Sequence, residues 1–172
     1  MQKEIEIKFE IRPEDKIRDK LSGLGGVLVK SYKQKTYGFF SADSIDKGIF
    51  PRIRDENGQI VLTVKVKDLQ KQSNDYFERK EYSMVISDME AGIEILKILG
   101  FDKIRSFEKD REEWNFPNAL VTVDKLYFGT FIEIEGSKGE IEKMVSRLGF
   151  KNRKRITKSY LALEDEYKSN NI

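Results

Sequence analysis

The chain has 172 residues, 36% of them charged, yet 32 Lys+Arg against 30 Asp+Glu leave a net charge of only +2; the length fits one domain or two tightly fused halves, and the balance argues against a dedicated nucleic-acid binder. Cysteine and histidine are both absent, which excludes disulfides, thiolate and imidazole metal ligands, and an imidazole general base. Any metal must sit among oxygen ligands, which favours Mg²⁺, Mn²⁺ or Ca²⁺.

In chain order, the first predicted strand runs from Glu4 to Ile11. Alternation puts Glu4, Glu6 and Lys8 on one face and Ile5, Ile7 and Phe9 on the other. A helix is predicted over Pro13–Leu24, with Pro13 near its first position, Ile17, Leu21 and Leu24 as its apolar stripe, and Gly25-Gly26 as its stop. Strand patterns rich in β-branched and aromatic residues cover Lys35–Phe40, Gly48–Asp55, Gln59–Lys67 and Tyr76–Ile86. Asn57-Gly58 is a hairpin signal, and the polar stretch Asp68–Asp75 reads as a mobile loop.

A second helix is expected over Asp88–Leu99, capped by Asp88, with Ile93, Leu96, Ile98 and Leu99 as its stripe. Ile104–Phe116 and Leu120–Leu126 are joined at Pro117-Asn118, and Phe131–Glu135 is the last strand. Helix Lys138–Leu148 follows, with Ile141, Met144, Val145 and Leu148 on one side. A final helix from Thr157 into Tyr167 carries Ile156, Tyr160, Leu161 and Leu163 as its apolar residues, and the polar residues after it are expected to fray. Strands in hairpin succession beside four helices predict an α+β fold with a largely antiparallel sheet, in a single domain over 1–172. The N-terminus lacks an apolar signal region and no uncharged stretch is long enough to span a bilayer, so a soluble, cytoplasmic protein without a membrane partner is expected.

The charged residues segregate by strand face. Arg52 and Arg54 share a face; so do Thr63, Lys65 and Lys67; Arg79, Glu81 and Ser83; and Lys109, Arg111 and Glu113. Phe131-Ile132-Glu133-Ile134-Glu135 repeats the opening pattern, with both glutamates on one side. The middle strands are thus basic on one face, and the first and last are acidic. On an open sheet these faces are solvated, and each charge could be a simple cross-strand partner. In a closed barrel they would point into an interior only a few side chains wide. Unpaired ions there would cost several kcal/mol each, so a polyanion with its divalent metals would have to neutralise them. Tyr37, Phe39, Tyr76 and Trp114 read as packing residues rather than base-stacking platforms.

On these motifs the chain resembles the CYTH superfamily, also called triphosphate tunnel metalloenzymes, and within it the class IV adenylyl cyclase-like branch. Glu4-Ile5-Glu6-Ile7-Lys8 matches the ExExK signature. Arg52-Ile53-Arg54 and Lys65-Val66-Lys67 look like the family's paired arginines and following basic strand. Lys109-Asp110-Arg111, Val123-Asp124-Lys125-Leu126, the run Gly129–Glu135 and Ser159-Tyr160-Leu161 look like its distal half and ending. One stretch departs: Tyr37-Gly38-Phe39-Phe40 stands where the family often has an aromatic pair followed directly by an acid.

The resemblance implies a closed eight-stranded antiparallel barrel forming a tunnel, flanked by helices. It implies that Glu4, Glu6, Asp124, Glu133 and Glu135 hold Mg²⁺ or Mn²⁺. Lys8, Arg52, Arg54, Lys65, Lys109 and Arg111 would hold the triphosphate, with Lys67, Arg79 and Glu81 beside them, and Lys8 and Arg111 would be catalytic. The implied substrate is a nucleoside triphosphate or polyphosphate, and a homodimer is compatible with it. Cyclisation of ATP to cyclic AMP and pyrophosphate is the expected reaction, with triphosphate hydrolysis or non-catalytic polyphosphate binding as alternatives. A basic sheet that binds RNA is disfavoured by the acidic first and last strands.

Overall fold

The computed structural model describes residues 2–56, 58–69 and 75–170. Within them alternating sequence becomes eight strands: β1 (Gln2–Ile11), β2 (Val27–Phe40), β3 (Ile49–Glu56), β4 (Gln59–Val66), β5 (Phe77–Ile86), β6 (Lys103–Phe116), β7 (Ala119–Leu126) and β8 (Gly129–Gly136). They hydrogen-bond in the order β1-β5-β4-β3-β2-β6-β7-β8, which closes the sheet into a barrel. Among the described residues five α-helices accompany them: α1 (Ile17–Gly23), α2 (Ser44–Lys47), α3 (Met89–Ile98), α4 (Lys138–Leu148) and α5 (Tyr160–Asn170).

The chain divides into two compact units, and the division cuts through strands. One comprises Met1–Glu4, Lys33–Ser73 and Glu78–Glu108; the other comprises Ile5–Tyr32, Asn74–Phe77 and Lys109–Ile172. In the first unit β2–β3, β3–β4 and β4–β5 pair antiparallel. Its core is Phe39, Ile53 and Leu96, with Tyr37, Ile60, Leu62, Ile86, Met89, Ile93 and Phe101 packed around them. The Asp88 carboxylate accepts from the Ala91 N–H at 3.0 Å and caps α3. Gly92 lets that helix approach closely, since an added Cβ would lie 2.6 Å from Ile86 Cδ1.

In the second unit β1 pairs with β8, β8 with β7 and β7 with β6, all antiparallel. Ile7, Phe9 and Ile11 of β1 pack with Trp114, Val121, Val123, Ile132 and Ile134 against Ile141, Met144, Val145 and Leu148 of α4. Fully burying each such side chain contributes roughly 1.5–3 kcal/mol. Ser137 caps α4 through the Glu140 N–H at 3.3 Å, and Gly149, with φ 77°, ends it.

Several sequence expectations are corrected. The predicted helix Pro13–Leu24 is a 3₁₀ turn, Pro13–Asp15, followed by α1, with Lys16 left-handed at φ 46° between them. The break has a tertiary cause: Asp15 accepts from the Arg12 N–H and is clamped by Arg153. Strand β2 begins at Val27 rather than Lys35, and Val27, Leu28 and Val29 are exposed, so no alternation marked it. Helix α2 was not expected. In α3, Ile98 and Leu99 are exposed rather than part of the packed stripe, because Met89, Ile93 and Leu96 already fill the one face that meets the core. Helix α5 starts at Tyr160 rather than Thr157, since Ile156 forms a backbone bridge to Lys8.

The β3–β4 hairpin forms as expected, with Gly58 at φ 89°; Asn57 lies outside the described residues, as do 70–74 of the predicted loop and 171–172 of the tail.

Candidate functional site

Charged side chains gather in two clusters, one in each unit. In the first unit the β3–β4–β5 registers set Arg52 opposite Thr63, and Lys65 opposite Glu81. Arg52 Nη2 donates to Glu81 Oε1 at 2.6 Å, and Lys65 Nζ stands 3.3 Å from the same oxygen. Lys65 Nζ also donates to both Glu4 oxygens, at 2.8 and 2.6 Å. Arg54 Nε lies 3.1 Å from Glu56 Oε1, and Thr63 and Ser83 hydroxyls meet at 3.0 Å. Burial pushes the Glu81 carboxyl up, but Lys65 and Arg52 outweigh it and hold it below the usual carboxylate range.

Arg79 donates to the Glu78 carbonyl at 2.7 Å. Lys67 follows the end of β4, its backbone N–H donating to the Gly48 carbonyl at 2.7 Å.

The second cluster is deeper. Lys8 stands opposite Glu133 in the β1–β8 register, and Arg111 opposite Asp124 in β6–β7. Lys8 Nζ lies 2.9 Å from Glu133 Oε1 and 3.9 Å from Glu6 Oε1. Arg111 donates through Nε and Nη2 to the two oxygens of Asp124 at 2.7 and 2.6 Å, and through Nη2 to Glu133 Oε2 at 2.6 Å. Lys109 Nζ and the Tyr160 hydroxyl each donate to Asp124 Oδ2 at 2.8 Å. Asp124 is 0% exposed. Removing ions so completely from water costs several kcal/mol each unless pairing is close to complete, and here each carboxylate oxygen meets a donor.

Electrostatics follows from that geometry. Burial would raise the Glu133 and Asp124 carboxyls, but Lys8, Lys109 and Arg111 hold the first well below the usual range, and Lys109 and Arg111 hold the second below it. Lys8 is pulled down by burial yet kept above its ordinary value by Glu133 and Glu6. Burial and the Arg111 charge bring Lys109 down to about 8. Burial, Glu133 and Asp124 push the Tyr160 hydroxyl well above 10, so it keeps its proton and donates.

For a metal, the donor set is entirely oxygen. Among the described residues no three carboxylates converge as a ready-made cage. Glu6 does stand directly opposite Glu135 across β1 and β8, with Glu133 two residues along. The Lys8 ammonium already lies beside Glu6 and Glu133, and carboxylate oxygens of this kind are the donors a hard divalent ion takes.

The sequence reading put Asp124 and Glu133 in a metal set and Lys8, Lys109 and Arg111 in a phosphate set; the structure pairs members of the two sets with each other. Sequence reasoning missed Tyr160 as a member, reading it as an apolar helix residue. A phenol on a buried stripe needs a partner for its hydroxyl, and that was the available signal.

The family model described as the CYTH domain matches residues 2–160. A protein of Methanocaldococcus jannaschii named "Putative adenylate cyclase" is 31% identical over 175 residues, covering 93% of this chain and 97% of that protein. The solved PH1012 protein of Pyrococcus horikoshii is 27% identical with a TM-score of 0.78, over 93% of this chain and 98% of that one. A Hippeastrum protein described as a "putative adenylyl cyclase" that reveals a dominant triphosphatase activity shares the fold, with a TM-score of 0.67 at 21% identity over 97% of this chain and 96% of that one. Among the described residues, no helix is long and apolar enough to cross a membrane.

Proposed function

Because this chain belongs to the CYTH domain family, we propose that it is a divalent-metal-dependent enzyme acting on a triphosphate, and that its reaction is the cyclisation of ATP to cyclic AMP and pyrophosphate. The observation that carries this is the buried network of Lys8, Lys109 and Arg111 with Asp124 and Glu133. Ion pairs this deep are poor stabilisers compared with apolar packing. They make sense where a polyanion takes over the cations. The name of the M. jannaschii relative, "Putative adenylate cyclase", supports the cyclase reading.

In this reading Lys8 and Arg111 contact the reacting phosphate and stabilise its developing charge, and Lys109 binds beside them. Arg52, Arg54 and Lys65 also bind phosphate oxygens, while Lys67, Arg79 and Glu81 support them. Glu6, Asp124, Glu133, Glu135 and Glu4 hold the metal; Mg²⁺ or Mn²⁺, when bound, neutralises phosphate charge and orients it. Fixing the triphosphate brings the ribose 3′-hydroxyl in line with the α-phosphorus. The new P–O bond forms there as the bond to the departing pyrophosphate breaks and the 3′-hydroxyl proton passes to a carboxylate of the cluster or to solvent; most of the gain is positional.

The test is product analysis after incubation with ATP and with tripolyphosphate, each with Mg²⁺ or Mn²⁺. Cyclic AMP and pyrophosphate from ATP are expected. Orthophosphate from either substrate would overturn the cyclase assignment in favour of hydrolysis. Tight tripolyphosphate binding without any product would leave only a binding module.

A further inference from the structure

Tyr160 opens α5 and is 6% exposed, in the middle of the second cluster. Lys8 Nζ lies 4.5 Å from its ring centroid and Lys109 Nζ 4.8 Å. The ring packs edgewise on Phe131, with centroids 5.5 Å apart. The segment leading into it also grips Lys8. Lys8 N–H donates to the Ile156 carbonyl at 3.3 Å, Ile156 N–H returns a bond at 2.9 Å, and Lys8 Nζ donates to the Lys158 carbonyl at 3.4 Å.

A residue needed only for packing on Phe131 could be Leu or Phe. This one instead offers two buried ammonium groups an electron-rich face, which attracts both without adding a negative charge. A carboxylate in its place would compete with a phosphate for those cations. The hydroxyl, meanwhile, fixes the Asp124 oxygen that Lys109 and Arg111 also use.

We propose that Tyr160 is a positioning residue for triphosphate: its ring sets Lys8 and Lys109, and its hydroxyl sets Asp124. The proposal rests on the triphosphate reading above. It deepens that reading by adding a residue that acts through the lysines rather than on the substrate.

The experiment compares wild type, Tyr160→Phe, Tyr160→Leu and Leu161→Ala in metal-free calorimetric titrations with tripolyphosphate. Ligand-free NMR of the Lys8 and Lys109 Cε–H signals accompanies them. Tyr160→Leu is expected to weaken binding roughly tenfold and Tyr160→Phe by less than about twofold, because Phe keeps the ring face. Leu161→Ala, a packing control in the same helix, is expected to lower the melting temperature and bind as wild type does. Ring-current shifts at both lysines are expected to persist in Tyr160→Phe and vanish in Tyr160→Leu. Wild-type affinity in Tyr160→Leu, or an equal loss in Leu161→Ala, would overturn the proposal. If wild type binds no tripolyphosphate, the triphosphate reading fails and the binding role falls with it, while the lysine signals still decide where the ring sits.

Discussion

In the first unit, Arg52 and Glu81 keep 22% and 19% of their side-chain exposure, and Lys65 keeps 12%. In the second, Lys109 and Asp124 keep 4% and 0%, and one aspartate gathers bonds from Lys109, Arg111 and Tyr160. Both clusters grow from alternating charged strands, yet they differ in what a change would cost. Ions that still touch water can exchange partners cheaply, so Arg52, Arg54 and Glu81 should report ligand binding with little effect on folding. In the second, each ion is held by the others, and binding and stability are tied together.

The sharpest way to break that contrast is Glu133→Ala. It strips an acceptor from Lys8, Arg111 and Thr122 at once. Stability should fall by about 3–5 kcal/mol in urea titrations, and metal-dependent turnover should vanish. An unchanged midpoint would mean the deep network is not holding the second unit together. Arg54→Ala is the counterpart in the first unit. Tripolyphosphate affinity should drop about tenfold by calorimetry, with a stability change under about 1 kcal/mol. A large loss of stability instead would erase the distinction between the clusters.

Proton linkage sharpens it further. Lys109 sits at about 8 in the fold against an ordinary 10.5. A lysine lowered in this way contributes stability that is fully present above about 10.5 and is lost as pH falls to about 8. Binding runs the other way, since the phosphate needs the ammonium. Metal-free tripolyphosphate affinity should therefore weaken as pH rises through about 8, and Lys109→Arg should flatten the profile relative to wild type. Parallel profiles for the two proteins would remove Lys109 from the binding set. The smallest effect is expected outside both clusters: Ile98→Ser, at a position 83% exposed, should move stability by no more than about 0.5 kcal/mol in the same urea assay.

Much of the strand framework was legible because period-two alternation survives folding, as in Glu4–Phe9 and Phe131–Glu135. The charged faces followed from the same rule. What escaped depended on residues far away in sequence. The first helix breaks at Lys16 because Asp15 is tied to Arg153, a partner 138 positions on. The start of β2 is exposed and carries no alternation to read. Nothing local in α5 says that Tyr160 meets Lys8 and Lys109, because only the tertiary fold brings β1 and β6 to it.

The central claim is that buried cations in this chain exist to take up phosphate oxygens. Calorimetric titration of tripolyphosphate into the native protein, beside Lys8→Met and Lys65→Met, tests it most directly. Saturable binding of one ligand per chain, weakened about tenfold or more by each substitution, is the predicted result. No binding, or binding indifferent to both changes, would contradict it.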